Sequence, residues 1–254
     1  MVNKTNELSG KEWLQNSFSI WRGLSKTPEE KSLGHPASFP ISLCEKMIMT
    51  FSPKSGKILD PFNGIGSTTK ACENLHREAL GIDLSKTFCE IARKRISNKK
   101  NIKIVADDNI AELAKQSGNY FDLCFTSPPY WDILNMNRSV DKKTIKNYSN
   151  KTDDLGNIND YSVFLNKLED IFLQVHRVLK KSAYCVVNVM DIRKKSVFYP
   201  LHSDLANIMQ KIGYIYDDII IWDRQNDYNN MRPLGYPFKF RVNKIHEYLM
   251  IFIK

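Results

Sequence analysis

Between residues 57 and 125 short apolar runs alternate with amphipathic stretches, and no other feature narrows the fold as far. Lys57-Ile58-Leu59, Ala79-Leu80-Gly81-Ile82, residues 102–105 and Phe121-Asp122-Leu123-Cys124-Phe125 read as strands; Ser67 to Leu75, residues 85–97 and residues 109–116 read as helices. Strands that are nearly all apolar are buried on both faces, and strands joined through helices must run parallel. Before this series, Ile41, Leu43, Cys44, Met47, Ile48 and Phe51 recur at helical spacing until Ser52-Pro53. After it, Val163, Leu165, Leu168, Ile171, Phe172, Val175 and Leu179 mark a long helix, Tyr184 to Met190 a strand and Leu201 to Ile212 another helix. No helix separates Ile215–Trp222 from Tyr248–Ile253, so these two predict an antiparallel hairpin at the end of the sheet. The expected architecture is α/β: a seven-stranded mostly parallel sheet with one antiparallel edge strand and helices on both faces.

The chain of 254 residues has no Pro/Gly/Ser-rich linker, which predicts one domain over 35–254 and an N-terminal arm over 1–34. The arm is polar but carries Trp13, Phe18, Ile20, Trp21 and Leu24, anchors for packing on the domain or on a substrate. A net charge of +9 has the sign expected of a protein that meets a polyanion. Cys44, Cys72, Cys89, Cys124 and Cys185 stand singly in apolar segments, as reduced core thiols do, and no spacing suggests a metal site. The polar start through Gln15 and the lack of an apolar run of about 18 residues predict neither a signal peptide nor a membrane span, and with the thiols they favour the cytoplasm.

Two corners carry the chemistry. Asp60-Pro61-Phe62-Asn63-Gly64-Ile65-Gly66-Ser67-Thr68-Thr69 joins the first strand of the series to its helix, where glycines let a backbone approach a ligand. It has neither the Lys of a phosphate loop nor a GxGxxG spacing, and a carboxylate beside it would repel phosphates. A zwitterion such as S-adenosylmethionine fits better: Asp60 or a nearby carbonyl can accept its ammonium, and the helix N-terminus at Ser67 and Thr68 can take its carboxylate. Asp83 closes the next strand near the roughly 20-residue spacing at which an acid reaches ribose hydroxyls. Asp107 follows the third strand, where it could accept from an adenine amine. Asp108 would serve as well, and Asp107 is preferred as the nearer to the strand end. The competing role for Asp83 and Asp107 is a helix N-cap. The second corner, Thr126-Ser127-Pro128-Pro129-Tyr130, sits at the carboxyl end of a buried strand, where two prolines remove backbone donors and leave carbonyls and a ring face outward. Such a corner suits a flat, amine-bearing group such as a nucleobase; the plainer reading is a rigid turn with an exposed ring.

With both corners in view, the chain resembles the DNA amino-methyltransferases, which methylate the exocyclic amine of cytosine or adenine. His35-Pro36-Ala37-Ser38-Phe39-Pro40 is similar to that family's methionine-pocket motif, residues 60–69 to its glycine loop, residues 126–130 to its catalytic motif and His246-Glu247-Tyr248 to its terminal segment. The resemblance spans about 35–254 and implies a Rossmann-like methyltransferase fold with S-adenosylmethionine as cofactor. It implies cofactor-binding roles for His35, Phe39, Asp60, Phe62, Gly64, Gly66, Ser67, Thr68, Asp83 and Asp107, and catalytic roles for Ser127, Pro128, Pro129 and Tyr130. It also implies double-stranded DNA as substrate and a restriction endonuclease as a separate cognate protein. A Ser at the second position of the catalytic motif points to cytosine N4 rather than adenine N6, with an RNA base as the next alternative. Acceptors at Ser127 and the Pro128 carbonyl would draw the amine lone pair out of conjugation, and Tyr130 would stack on a base rotated out of the duplex.

The resemblance departs at target recognition, since no large recognition domain is present. Loops must serve instead: 131–159 with Arg138, Lys142, Lys143 and Lys146; 192–200 with Arg193, Lys194 and Lys195; and 223–245, where Arg224, Arg232, Lys239, Arg241 and Lys244 interleave with Tyr228, Tyr236 and Phe238. Trp131 reads as a packing residue.

Overall fold

The computed structural model describes residues 4–34, 38–132, 154–227, 231 and 233–254. In chain order its elements are α1 (Gly10–Asn16), β1 (Ile20–Trp21), α2 (Pro28–Ser32), α3 (Ile41–Phe51), β2 (Lys57–Asp60), α4 (Ser67–Asn74), β3 (Glu78–Asp83), α5 (Lys86–Arg95), β4 (Ile102–Ala106), α6 (Asn109–Ala114) and β5 (Phe121–Thr126). The second half adds α7 (Tyr161–Val178), β6 (Leu179–Val189), β7 (Ile192–Lys194), β8 (Val197–Tyr199), α8 (Leu201–Ile212), β9 (Ile215–Asp223) and β10 (His246–Ile253). The main sheet runs β1-β9-β10-β6-β5-β2-β3-β4, and β7 and β8 form a separate antiparallel hairpin.

The α/β class and the parallel series hold, with two corrections. The sheet has eight strands rather than seven, because Ile20–Trp21 of the arm adds a parallel edge strand along β9. The reversed strand is not at an edge: β10 pairs antiparallel with β6 on one side and β9 on the other. Two residues are too few to show a strand periodicity, and an edge position depends on what the rest of the chain leaves uncovered. The arm therefore packs on the domain. Trp21 is buried and donates through Nε1 to the Asn16 carbonyl at 3.2 Å, while Glu30 accepts from the backbone N–H groups of Thr27 (2.8 Å) and Ile41 (2.7 Å).

Each face of the sheet has its own core. On one, α7 and α8 lay Phe164, Leu168, Phe172, Leu205 and Met209 over β5, β6 and β10. On the other, α3 and α4 bring Leu43, Met47 and Cys72 against Ile58, Leu123 and Val186, with Trp21 and Trp222 closing the far end. All five cysteines are free and buried. Among the described residues no helix is long and apolar enough to cross a membrane, and no group of three His, Cys, Asp or Glu could hold a metal ion.

The topology decides where a ligand can sit. From β2 the chain moves outward through β3 to β4, then returns to place β5 on the other side of β2. At such a reversal the loops leave in opposite directions and a crevice opens beyond the carboxyl ends of the two strands.

Candidate active site

Both sequence corners emerge at that crevice. Asp60 ends β2 and Thr126 ends β5, and the Thr126 hydroxyl donates to Asp60 Oδ1 at 2.6 Å. The same oxygen accepts from the Phe62 N–H at 3.0 Å, so Asp60 fixes the first turn of the glycine loop and the start of the proline corner together. Asp60 is 2 % exposed, and burial raises its carboxyl from 3.8 to about 6 against the lowering effect of the Thr126 hydrogen bond.

The loop then closes on α4 through Gly66, which adopts φ +83°, a conformation that L side chains rarely take. A Cβ there would stand 2.8 Å from the Ala92 Cβ, so glycine also permits the close approach of α4 and α5. Gly64 donates its N–H to Asp83 Oδ2 (2.8 Å), and Asp83 Oδ1 accepts from Ser85 N–H (2.8 Å). Asp83 is thus no helix cap; Ser85 caps α5. Burial raises Asp83 to about 6, opposed by these two N–H donors and reinforced by the charges of Asp60 and Asp154.

A crevice open to solvent lies between the corners. Pro61, Phe62, Gly64, Asp83, Leu84 and Ser85 line it from the loop side, and Ser127 and Pro129 from the proline corner. Asp108 and Asn109 line it from the start of α6; Asp154, Leu155 and Ile171 cover it. Among the described residues that line it, three are carboxylates and none is Lys, Arg or His, so this lining favours a ligand with positive charge.

The other candidates lie elsewhere. Asp107 pairs with Lys115 at 2.9 Å and is not among the lining residues; Asp108, which does line the crevice, caps α6 by accepting from Ala111 N–H at 2.9 Å. Ser67 and Thr68 are buried in the first turn of α4, and Phe39 is buried below the corner with its ring 5.0 Å from that of Phe125. His35 lies outside the described residues, as do Arg138, Lys142, Lys143, Lys146, Tyr228 and Arg232.

Beyond Pro128 and Pro129 the chain meets a polar cluster that sequence reading missed. The Tyr130 hydroxyl donates to Glu247 Oε2 at 2.7 Å, lies 3.2 Å from Ser127 Oγ and receives Asn188 Nδ2 at 3.0 Å. Arg224 pairs with the other Glu247 oxygen. Burial and the Glu247 charge raise the Tyr130 phenol well above its ordinary value. The arm reaches this cluster through Lys26, whose pKa is lowered by burial and by Arg224. The only sequence signal was a lone polar residue in or beside an apolar strand: Asn188 within 184–190 and Glu247 before 248–253.

Next along, Trp131 is 4 % exposed and packs on Tyr161 and Tyr199, in the packing role expected of it. Lys194 of the β7–β8 hairpin places its Nζ 3.8 Å above the Trp131 ring and 2.5 Å from Asp132, fastening residues 192–199 to the proline corner.

At 38 % identity over 85 residues the chain is similar to the orphan methyltransferase M.BamHII of Bacillus amyloliquefaciens (32 % of each chain), and at 35 % over 85 residues to the type II methyltransferase M.HpaI of Haemophilus parainfluenzae (34 % of this chain, 26 % of that one). The matched part spans about a third or less of the length of these curated relatives. In fold, a TehB-like SAM-dependent methyltransferase from Corynebacterium glutamicum superposes with a TM-score of 0.51 at 14 % identity, covering 88 % of this chain and 91 % of that one. A SAM-dependent methyltransferase from Methanosarcina mazei gives 0.50 at 12 % identity over 79 % and 93 %. The model of the DNA methylase family matches residues 2–94 and 121–254, and the chain belongs to that family.

Proposed function

We propose that this protein transfers a methyl group from S-adenosylmethionine to the exocyclic N4 amine of a cytosine rotated out of double-stranded DNA. The observation that carries this reading is the crevice lined both by the glycine loop and by Ser127 and Pro129 of the proline corner. Its lining suits the cofactor: carboxylates at Asp83 and Asp108 can accept hydroxyl and amine donors, and no described lining residue is a lysine that would favour polyphosphates. When bound, S-adenosylmethionine supplies an electrophilic methyl on a cationic sulfur. Ser127 Oγ and the proline-corner carbonyl accept the amine protons, which localises the nitrogen lone pair and aims it; positioning rather than a strong base supplies the rate.

DNA enters over the hairpin and the segment after β9. Arg193 and Lys244 lie over the Phe198 ring at 5.4 and 4.2 Å, and Tyr236, Phe238 and Phe240 are 78, 95 and 91 % exposed beside Lys239 and Arg241. Cations for phosphates and rings for stacking are the two contacts an extruded base requires. Such an enzyme serves as the modification half of a restriction system with a separate endonuclease, or as an orphan methylase.

The test is incubation with duplex DNA, single-stranded DNA and RNA in S-adenosylmethionine, followed by mass spectrometry of the nucleosides. N4-methylcytosine from duplex DNA is expected. N6-methyladenine would move the target base, and a methylated ribonucleoside alone would overturn the substrate.

A further inference from the structure

We infer that Glu247 is a positioning residue: its carboxylate sets the direction of a hydrogen-bond chain so that Ser127 offers only lone pairs to the crevice. The inference rests on the methyl-transfer reading, because the group that meets those lone pairs is the base amine. Glu247 lies 117 residues from Tyr130 in the chain, at the start of β10, and is 4 % exposed. An ionised carboxylate can only accept, and an arginine can only donate. Arg224 occupies one oxygen; the other takes the Tyr130 hydroxyl at 2.7 Å and Asn188 Nδ2 at 2.5 Å.

The direction of each bond then follows. The single proton of Tyr130 is committed to Glu247, and the raised phenol pKa keeps that proton in place. Asn188 donates from Nδ2 to the Tyr130 oxygen at 3.0 Å, since its amide carbonyl turned the same way would face a carboxylate. Ser127 Oγ, 3.2 Å from that phenol oxygen, has one bonding role left toward it, which is to donate. Its proton is consumed inward. What Ser127 turns to the crevice it lines is therefore acceptor only.

That polarity matters for the reaction. An exocyclic amine must keep its nitrogen lone pair for attack while its N–H groups are held. A serine proton pointing outward would bind the lone pair itself and hold the nucleophile in its unreactive sense. Ser127 could rotate either way on its own, and the buried negative charge of Glu247, acting through Tyr130, removes the wrong choice.

Glu247→Gln tests this with a side chain of the same shape, whose amide can donate to Tyr130 and reverse the chain. Losing one oriented charge-assisted hydrogen bond lowers kcat by about 10- to 100-fold, with KM for duplex DNA and the calorimetric Kd for S-adenosylmethionine held within about 2-fold. Tyr130→Phe cuts the same chain, so adding Glu247→Gln to it costs no further rate. A fluorotyrosine at position 130, followed by 19F NMR, titrates lower in Glu247→Gln than in the wild type whether or not DNA is methylated, which separates failure of this inference from failure of the substrate assignment. Wild-type kcat in Glu247→Gln, full additivity in the double variant, an unmoved fluorotyrosine titration, or loss of S-adenosylmethionine binding in proportion to kcat would each overturn it.

Discussion

Burial holds Asp60 and Asp83 at about 6, above the ordinary carboxylate value of 3.8, and each shift has a measurable consequence. A folded-state pKa above the unfolded one means that the folded chain binds protons more tightly, so the favourable contribution is present below about 4 and lost as pH rises through 6. At neutral pH the ionised Asp60 opposes folding by about 3 kcal/mol. Asp60→Asn keeps an acceptor for the Phe62 N–H and the Thr126 hydroxyl while removing the charge; stability at pH 7 rises by about 1–2 kcal/mol in denaturant melts and the gain fades toward pH 4. A destabilised variant at pH 7 would contradict this account. Asp83 lines the crevice, and only its ionised form offers acceptors alone to the cofactor's hydroxyls, so affinity for S-adenosylmethionine falls below pH 6 by up to about 10-fold per pH step. Calorimetry at descending pH reads it, and a flat profile would remove Asp83 from the site. Both acids were legible in the sequence as carboxylates closing strands of a parallel series, but only Asp83 lines the crevice, while Asp60 is buried and bonded to Thr126 and Phe62. Asp108 was harder: its side chain and that of Asp107 are neighbours in sequence, and only the start of α6 decides which one faces inward.

At the scale of elements, the β7–β8 hairpin couples surface and site. Arg193 opposes Phe198 across the two strands, and Lys194, opposite Val197, is tied to Trp131 and Asp132. The basic residues of 192–200 were visible in the sequence, but the register that separates Arg193, above the Phe198 ring, from Lys194, turned onto Trp131, was not. Only the first therefore serves DNA in the proposed function. Arg193→Ala weakens duplex binding across all sequences and reduces the slope of log affinity against log salt by about 1, measured by fluorescence anisotropy from about 50 to about 200 mM salt. An unchanged slope would take Arg193 off the phosphate path. Strand β1 is the counterpart at the other end of the sheet, where Ile20 and Trp21 pair with Ile221 and Trp222. Trp21→Ala removes a fully packed ring between α3 and β9 and lowers stability by about 3–5 kcal/mol in thermal or denaturant unfolding. A loss under about 1 kcal/mol would mean that β1 is only loosely docked.

For the molecule as a whole, the arm is a part of the sheet's design. Without it β9 would be an open edge, and unpaired edges recruit other chains. Deleting residues 1–26 should yield a protein that associates through β9, seen as concentration-dependent oligomers by light scattering, whereas a monodisperse product would show that the edge is protected in another way. The alternation of strands and helices from 57 to 125, the loop at 60–69 and the corner at 126–130 were all set by local pattern: apolar period, glycine where the backbone turns left-handed, proline where donors must be absent. Those signals act within a few residues of one another, so the sequence by itself determined the sheet's class and the two corners that face each other. The eighth strand, the interior place of β10 and the Tyr130–Asn188–Glu247–Arg224 cluster were decided only by tertiary structure. They join segments up to 201 residues apart, and a lone Asn or Glu near an apolar run carries no mark of its partner until pairing of β6 with β10 brings the two side chains within hydrogen-bonding distance.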